Sequence, residues 1–115
     1  MNVLIIEDEQ LAAEKLESLI KKIDKEISVI GKLRSVSAAV EWLSSNDHPD
    51  LLISDIKLLD GISFEIFSQI DYKKPVIFTT AYDQYANKAF EVNSIDYLLN
   101  PIQKEKLEAA FQQLD

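Results

Sequence analysis

Val3-Leu4-Ile5-Ile6-Glu7-Asp8-Glu9 is a short apolar run, mostly β-branched, that passes directly into three acids. Consecutive apolar residues without alternation mark a strand covered on both faces, and such strands belong to parallel sheets. The acids then fall where the strand leaves the core. Leu51-Leu52-Ile53-Ser54-Asp55 repeats the arrangement with a single acid. Pro75-Val76-Ile77-Phe78-Thr79-Thr80 repeats it with hydroxyls, and a proline at the first residue of a strand is tolerated. Residues 95–99 form another such run, stopped by Asn100-Pro101, and residues 27–33 a further one interrupted by Gly31.

Between these runs the periodicity changes. Leu11, Ala12, Leu16, Leu19, Ile20 and Ile23 recur at helical spacing among Glu14, Lys15, Glu17 and Lys22, which predicts a helix with one buried face. Residues 38–43 read as a second helix with Ser37 as its cap and Glu41 nearby, residues 64–70 as a short third and residues 82–92 as a fourth. Leu107, Ala110, Phe111 and Leu114 mark a last one. Trp42 on the second helix is read as packing, and His48 before Pro49 as a surface residue. Five strand–helix units and right-handed crossovers leave few topologies. The leading one is an α/β fold of flavodoxin-like type: a doubly wound five-stranded parallel sheet, order 2-1-3-4-5, with helices on both faces.

At 115 residues the chain is expected to be one domain with one real core. A net charge of −8 argues against nucleic acid as a direct partner of this piece. There is no cysteine, hence neither a disulfide framework nor a thiolate metal site. No apolar run approaches the roughly 18–20 residues that span a bilayer, and no signal peptide is evident. A cytoplasmic protein is the expectation, with no membrane partner.

Ligands of a doubly wound sheet bind outside the C-terminal ends of its strands. There the chain collects Glu7, Asp8 and Glu9 after the first strand, Asp55 after the third, Thr79 and Thr80 after the fourth, and Asn100 after the fifth. Acids that gather in one pocket stay ionised only if a cation offsets them. Oxygen-only ligands suit a hard ion, and a site with few protein ligands suits Mg²⁺. A carboxylate beside such an ion can serve as a nucleophile toward phosphorus.

Ile5-Ile6-Glu7-Asp8-Glu9, Asp55 before Asp60-Gly61, Thr80-Ala81 and Tyr97-Leu98-Leu99-Asn100-Pro101 together resemble the receiver domains of two-component response regulators, the CheY-like family. Phe78-Thr79-Thr80-Ala81-Tyr82-Asp83-Gln84-Tyr85-Ala86, Ala89-Phe90-Glu91-Val92 and Ile95-Asp96-Tyr97-Leu98-Leu99 are similar to the LytTR subgroup. The resemblance covers essentially the whole chain. It implies that Glu7 and Asp8 form an acidic Mg²⁺-binding pair, that Asp55 is the phosphoacceptor, and that the backbone carbonyl of Lys57 completes the protein ligands. Thr80 would approach the phosphoryl group, and Tyr97 would be an aromatic switch turning inward behind it. A sensor histidine kinase is the implied donor. A homodimer through the fourth helix, fifth strand and fifth helix is common in the family. DNA would be met only through a C-terminal output domain absent from this chain, so residues 1–115 are expected to be the N-terminal receiver of a longer regulator, not an enzyme in its own right.

One departure matters. The family has a lysine before the proline that ends the fifth strand; here the residue is Asn100. Asparagine offers a neutral donor on a shorter arm, and a charge-assisted bond is roughly twice as strong as a neutral one. The alternative is therefore a degenerate receiver acting as a phosphorylation-independent interaction module. Lys57 and Lys104 are considered as replacements for the charge, with a solvated lysine the favoured reading. Lys57 and Tyr82 border the path of attacking water in the family, and neither is a good acid or amide to orient it, so slow self-dephosphorylation is expected. A haloacid-dehalogenase-type phosphohydrolase would need a second acid where Lys57 stands, and an FMN-binding flavodoxin would need a first loop that does not repel phosphate as Glu7-Asp8-Glu9 does.

Overall fold

A computed structural model describes residues 1–81 and 94–114. Strand β1 (Asn2–Ile6) leads into α1 (Gln10–Ile23), β2 (Ser28–Leu33) into α2 (Val36–Ser45), and β3 (Leu51–Asp55) into a small ribbon of β4 (Lys57–Leu58) and β5 (Gly61–Ile62). Helix α3 (Phe64–Gln69), β6 (Val76–Thr80), β7 (Ser94–Leu99) and α4 (Lys104–Gln112) complete the described elements. The main sheet is parallel throughout, in the order β2-β1-β3-β6-β7. Counting only its own strands, that is the expected 2-1-3-4-5 order.

The apolar runs of β1, β3 and β6 are buried on both faces, as their lack of alternation requires, whereas the edge strand β2 alternates exposed and half-buried residues, contrary to the sequence expectation. Leu4, Ile6, Leu52, Val76 and Phe78 point to one side, where Val36, Ala39 and Leu43 of α2 and Phe64 and Ile66 of α3 cover them. Val3, Ile5, Leu51, Ile53 and Ile77 point to the other, against Ala13, Leu16 and Ile20 of α1 and Leu107 and Ala110 of α4. Burying a side chain of this kind contributes about 1.5–3 kcal/mol, so the central strands are the most firmly held part of the molecule.

Local chemistry sets the ends of the elements. Gly31 pairs with Leu4, and a Cβ at residue 31 would lie 2.9 Å from Leu4 Cδ1, beside the irregularity in the β1–β2 register. The β4–β5 ribbon turns through Leu59-Asp60 into Gly61, whose φ of 155° is disfavoured for residues bearing a Cβ. The cap of α2 corrects the sequence expectation. It is Ser35, in extended conformation, whose Oγ accepts from the Ala38 N–H at 3.0 Å. Ser37 lies inside the helix, and its own N–H donates to Asp60 Oδ2 at 3.0 Å. Asp60 Oδ1 also accepts from the Val36 N–H at 2.7 Å, so a carboxylate from the ribbon serves two of the donors that a helix N-terminus leaves without partners. The helix expected at residues 82–92 lies outside the described residues. No helix among the described residues is long and apolar enough to cross a membrane.

Candidate functional site

Three chain crossings meet at the C-terminal edge of the sheet. Glu7 leaves β1 with its N–H donating to the Leu33 carbonyl at 2.8 Å, so the parallel pairing with β2 holds the first acid in place. Its Oε2 turns back and accepts from the Glu9 N–H at 3.0 Å. This leaves Glu7 only 8% exposed, an unusual environment for a carboxylate. Asp55 ends β3, one strand over, and its Oδ1 accepts from the Ile56 N–H at 2.6 Å. Carboxylate oxygens of Glu7, Asp8 and Asp55 all lie within 4.8 Å of one another.

That proximity is visible in the protonation of the group. Burial pushes the Glu7 carboxyl up to about 8, helped by the neighbouring Asp8 and Asp55 and opposed by the Glu9 N–H. Burial also raises Asp55, as does the charge of Asp8, while N–H groups of Ile56 and Lys57 and a hydrogen bond with Glu7 pull it back down. Without a cation the cluster therefore resists full ionisation. Three clustered carboxylates fit a hard divalent ion that keeps part of its water shell, as Mg²⁺ does.

The cluster opens into a cavity of about 770 Å³, whose wall includes Glu7, Asp8, Asp55, Lys57, Ala81 and Asn100. Lys57 reaches it from the ribbon, with its side chain exposed. Thr80 is fully buried at the end of β6, one residue before Ala81 at the cavity wall. Tyr97 lies half-buried on β7, opposite Phe78 in the strand register, and packs against the core cluster that contains Phe78 and Phe64. Tyr82 lies outside the described residues.

Two cations near the cluster carry no motif in the sequence. Lys15 of α1 lines the same cavity. Arg34, just past β2, donates from Nε to the Asp8 carbonyl at 3.0 Å across 26 positions. The strand order gives the available signal: once β2 pairs with β1 and Leu33 stands opposite Ile6, residue 34 must lie beside the acidic turn.

The fold and the acidic edge define a class, and the comparisons agree with it. Residues 3–112 match the family model described as the response regulator receiver domain, and the chain belongs to this family of two-component response regulators. Among its relatives, the sensory transduction protein LytT of Bacillus anthracis is 40% identical over 110 residues, covering 93% of this chain and 44% of that protein. LytT of Enterococcus faecalis is also 40% identical, covering 93% of this chain and 45% of that protein. The chain thus spans less than half the length of these curated relatives. The crystal structure of the response regulatory domain of protein mrkE from Klebsiella pneumoniae superposes with a TM-score of 0.85 at 32% identity, covering 99% of this chain and 94% of that one.

Proposed function

We propose that this receiver takes a phosphoryl group onto Asp55 from the phosphohistidine of a sensor histidine kinase, with Mg²⁺ held by Glu7, Asp8, Asp55 and the backbone carbonyl of Lys57. The observation that carries this reading is the cluster of three carboxylates at the strand ends, with Asp55 one of them and the cavity in front. A carboxylate oxygen of Asp55 forms the new O–P bond as the P–N bond to the kinase imidazole breaks. The electron pair returns to that ring nitrogen, which takes up a proton. Mg²⁺ supplies positive charge that offsets the transferring phosphoryl oxygens.

The chain's own groups do the rest. The Ile56 N–H on Oδ1 fixes the orientation of the Asp55 carboxylate. The Thr80 hydroxyl serves as a donor to a phosphoryl oxygen, and Tyr97 turns inward behind it. Asn100 takes the position of the family's lysine at the cavity wall with a neutral amide. Neither Lys57 nor Tyr82, at the positions that border the path of attacking water in the family, is an acid or amide that could orient it, which makes loss of the phosphoryl group slow. In the full-length protein the modification is relayed to a C-terminal DNA-binding output domain, with homodimerisation through β7, α4 and residues 82–92, where the sequence predicts a helix. The phosphorylation-independent alternative has only Asn100 in its favour.

The test is treatment with Mg²⁺ and acetyl phosphate or beryllofluoride, followed by intact mass and by NMR at Thr80 and Tyr97, with Asp55→Asn as control. One added phosphoryl group that is absent from the control, with shifts at both residues, is the expected result. A chain that neither binds Mg²⁺ nor gains mass is not a phosphoacceptor.

A further inference from the structure

We propose that Arg34 is a positioning residue for the metal-binding turn, fixing the peptide that follows Asp8 from the neighbouring strand. The inference deepens the Mg²⁺-dependent reading above and rests on it.

The hydrogen bonding of the turn is divided between two elements, with a gap at Asp8. The strand side ends with the Glu7 N–H on the Leu33 carbonyl at 2.8 Å. The helix side begins with the Ala13 N–H on the Glu9 carbonyl at 3.0 Å. The Asp8 carbonyl falls between the two, and the group that reaches it is a side chain, Arg34 Nε at 3.0 Å. Consecutive residues of one strand end, Leu33 and Arg34, thus grip consecutive residues of the acidic turn, one through its backbone and the other through its guanidinium.

This grip opposes a real load. When ionised, the carboxylates of Glu7, Asp8 and Asp55 within 4.8 Å repel one another, and a shift of the Asp8 backbone is the simplest way for the turn to relax. Such a shift would carry the Asp8 carboxylate away from Asp55. A bond to the Asp8 carbonyl resists it through the backbone, without Arg34 occupying the Asp8 carboxylate. Arg34 is exposed, so water and salt screen its charge, and the direction of its N–H matters more than its Coulomb attraction. Arginine suits that task better than lysine, because its planar fork fixes the donor direction whereas an ammonium rotates.

The test measures Mg²⁺ affinity of the whole chain by calorimetry, together with thermal unfolding in EDTA and in Mg²⁺. Removing an outer partner that orients a metal ligand lowers affinity at least about tenfold, and Arg34→Ala is expected to do so. Its metal-free unfolding midpoint should match that of the unsubstituted chain, while the increment added by Mg²⁺ shrinks. Arg34→Lys, which keeps the charge without the planar donor, should recover only part of the affinity. An unchanged Mg²⁺ affinity in Arg34→Ala, or equal losses of stability with and without the ion, overturns the positioning role and leaves the proposed function standing. If the unsubstituted chain binds no Mg²⁺, the proposed function falls and this inference falls with it.

Discussion

The backbone N–H of Asn100 donates to the Thr80 carbonyl at 2.7 Å. This bond ties the end of β7 to the end of β6, next to the buried threonine, and sets residue 100 at the wall of the acidic cavity. The position is therefore built into the backbone whatever side chain it carries. Replacing Asn100 with lysine should return a charge-assisted donor to the proposed phosphoryl site. Such a bond is worth about 1–3 kcal/mol, so Asn100→Lys should tighten beryllofluoride binding by roughly one order of magnitude. A titration followed by NMR at Thr80 reads this directly. Unchanged binding would mean that the cation is supplied from elsewhere on the cavity, where Lys15 and Lys57 also stand.

The Glu7 carboxyl gives the metal-free protein an unusual pH dependence. Its folded value is about 8 against an ordinary 4.5, so between those values the folded state holds more protons than the unfolded one. Stability then falls as pH rises through that window. The metal-free chain should be more stable near about pH 5 than at about pH 8, and Asp55, raised for the same reason, adds to the trend. Mg²⁺ needs the ionised form, so its binding releases protons and tightens as pH rises toward about 8. Thermal midpoints across this range in EDTA and in Mg²⁺ check both slopes, with Glu7→Gln as the variant that flattens the first. A metal-free midpoint that rises over the window would contradict the burial of Glu7.

Asp60 runs the other way. Its carboxylate accepts from the Ser37 and Val36 N–H groups, and these bonds hold its pKa below the ordinary 3.8. A lowered acid contributes stability above its unfolded value and loses it as pH falls through its folded one. Asp60→Ala should therefore lower the unfolding midpoint at neutral pH. The gap from the unsubstituted chain should close in strong acid, below the folded pKa of Asp60. A gap of constant size over that range would show that the residue acts through something other than its charge on α2.

Much of this was legible in the order of residues, for a physical reason. Strands buried on both faces must be apolar at every position, so Val3–Ile6 and Leu51–Ile53 announce themselves and so does the acid that follows each. The ends of a parallel sheet then bring Glu7, Asp8 and Asp55 together without any further information. The β4–β5 ribbon stayed hidden because strands of two residues have no period. The cap of α2 falls at Ser35, whose Oγ takes the Ala38 N–H, while the Val36 and Ser37 N–H groups are taken by Asp60 from a distant loop, which spacing alone does not show. Arg34 was missed for the same reason: its target is a backbone carbonyl, which leaves no mark on composition or spacing.

Phe78 links the core to Thr80 and Tyr97, the proposed switch residues, and separates stability from metal binding. Its ring meets Phe64 edge-on at 5.1 Å and Phe67 at 6.0 Å, with no exposed surface, immediately before Thr79 and Thr80. Truncating a buried phenylalanine to alanine removes about 3–5 kcal/mol, a large share of the 5–15 kcal/mol that holds a small domain together. Leucine fills more of the space and should cost about half as much. Phe78→Leu is thus expected to stay folded with a lower unfolding midpoint. The acids stand on β1 and β3, which share a core cluster with Phe78 but are held in register by backbone pairing that a side-chain truncation leaves in place, so Mg²⁺ affinity should be unchanged. The effect should appear instead in how beryllofluoride shifts Thr80 and Tyr97, since Tyr97 packs on the same cluster and pairs with Phe78 across the strands. Denaturant unfolding, calorimetry and NMR on one variant separate the three quantities. A parallel loss of Mg²⁺ affinity would mean that the metal site depends on β6 packing, contrary to the independence argued here.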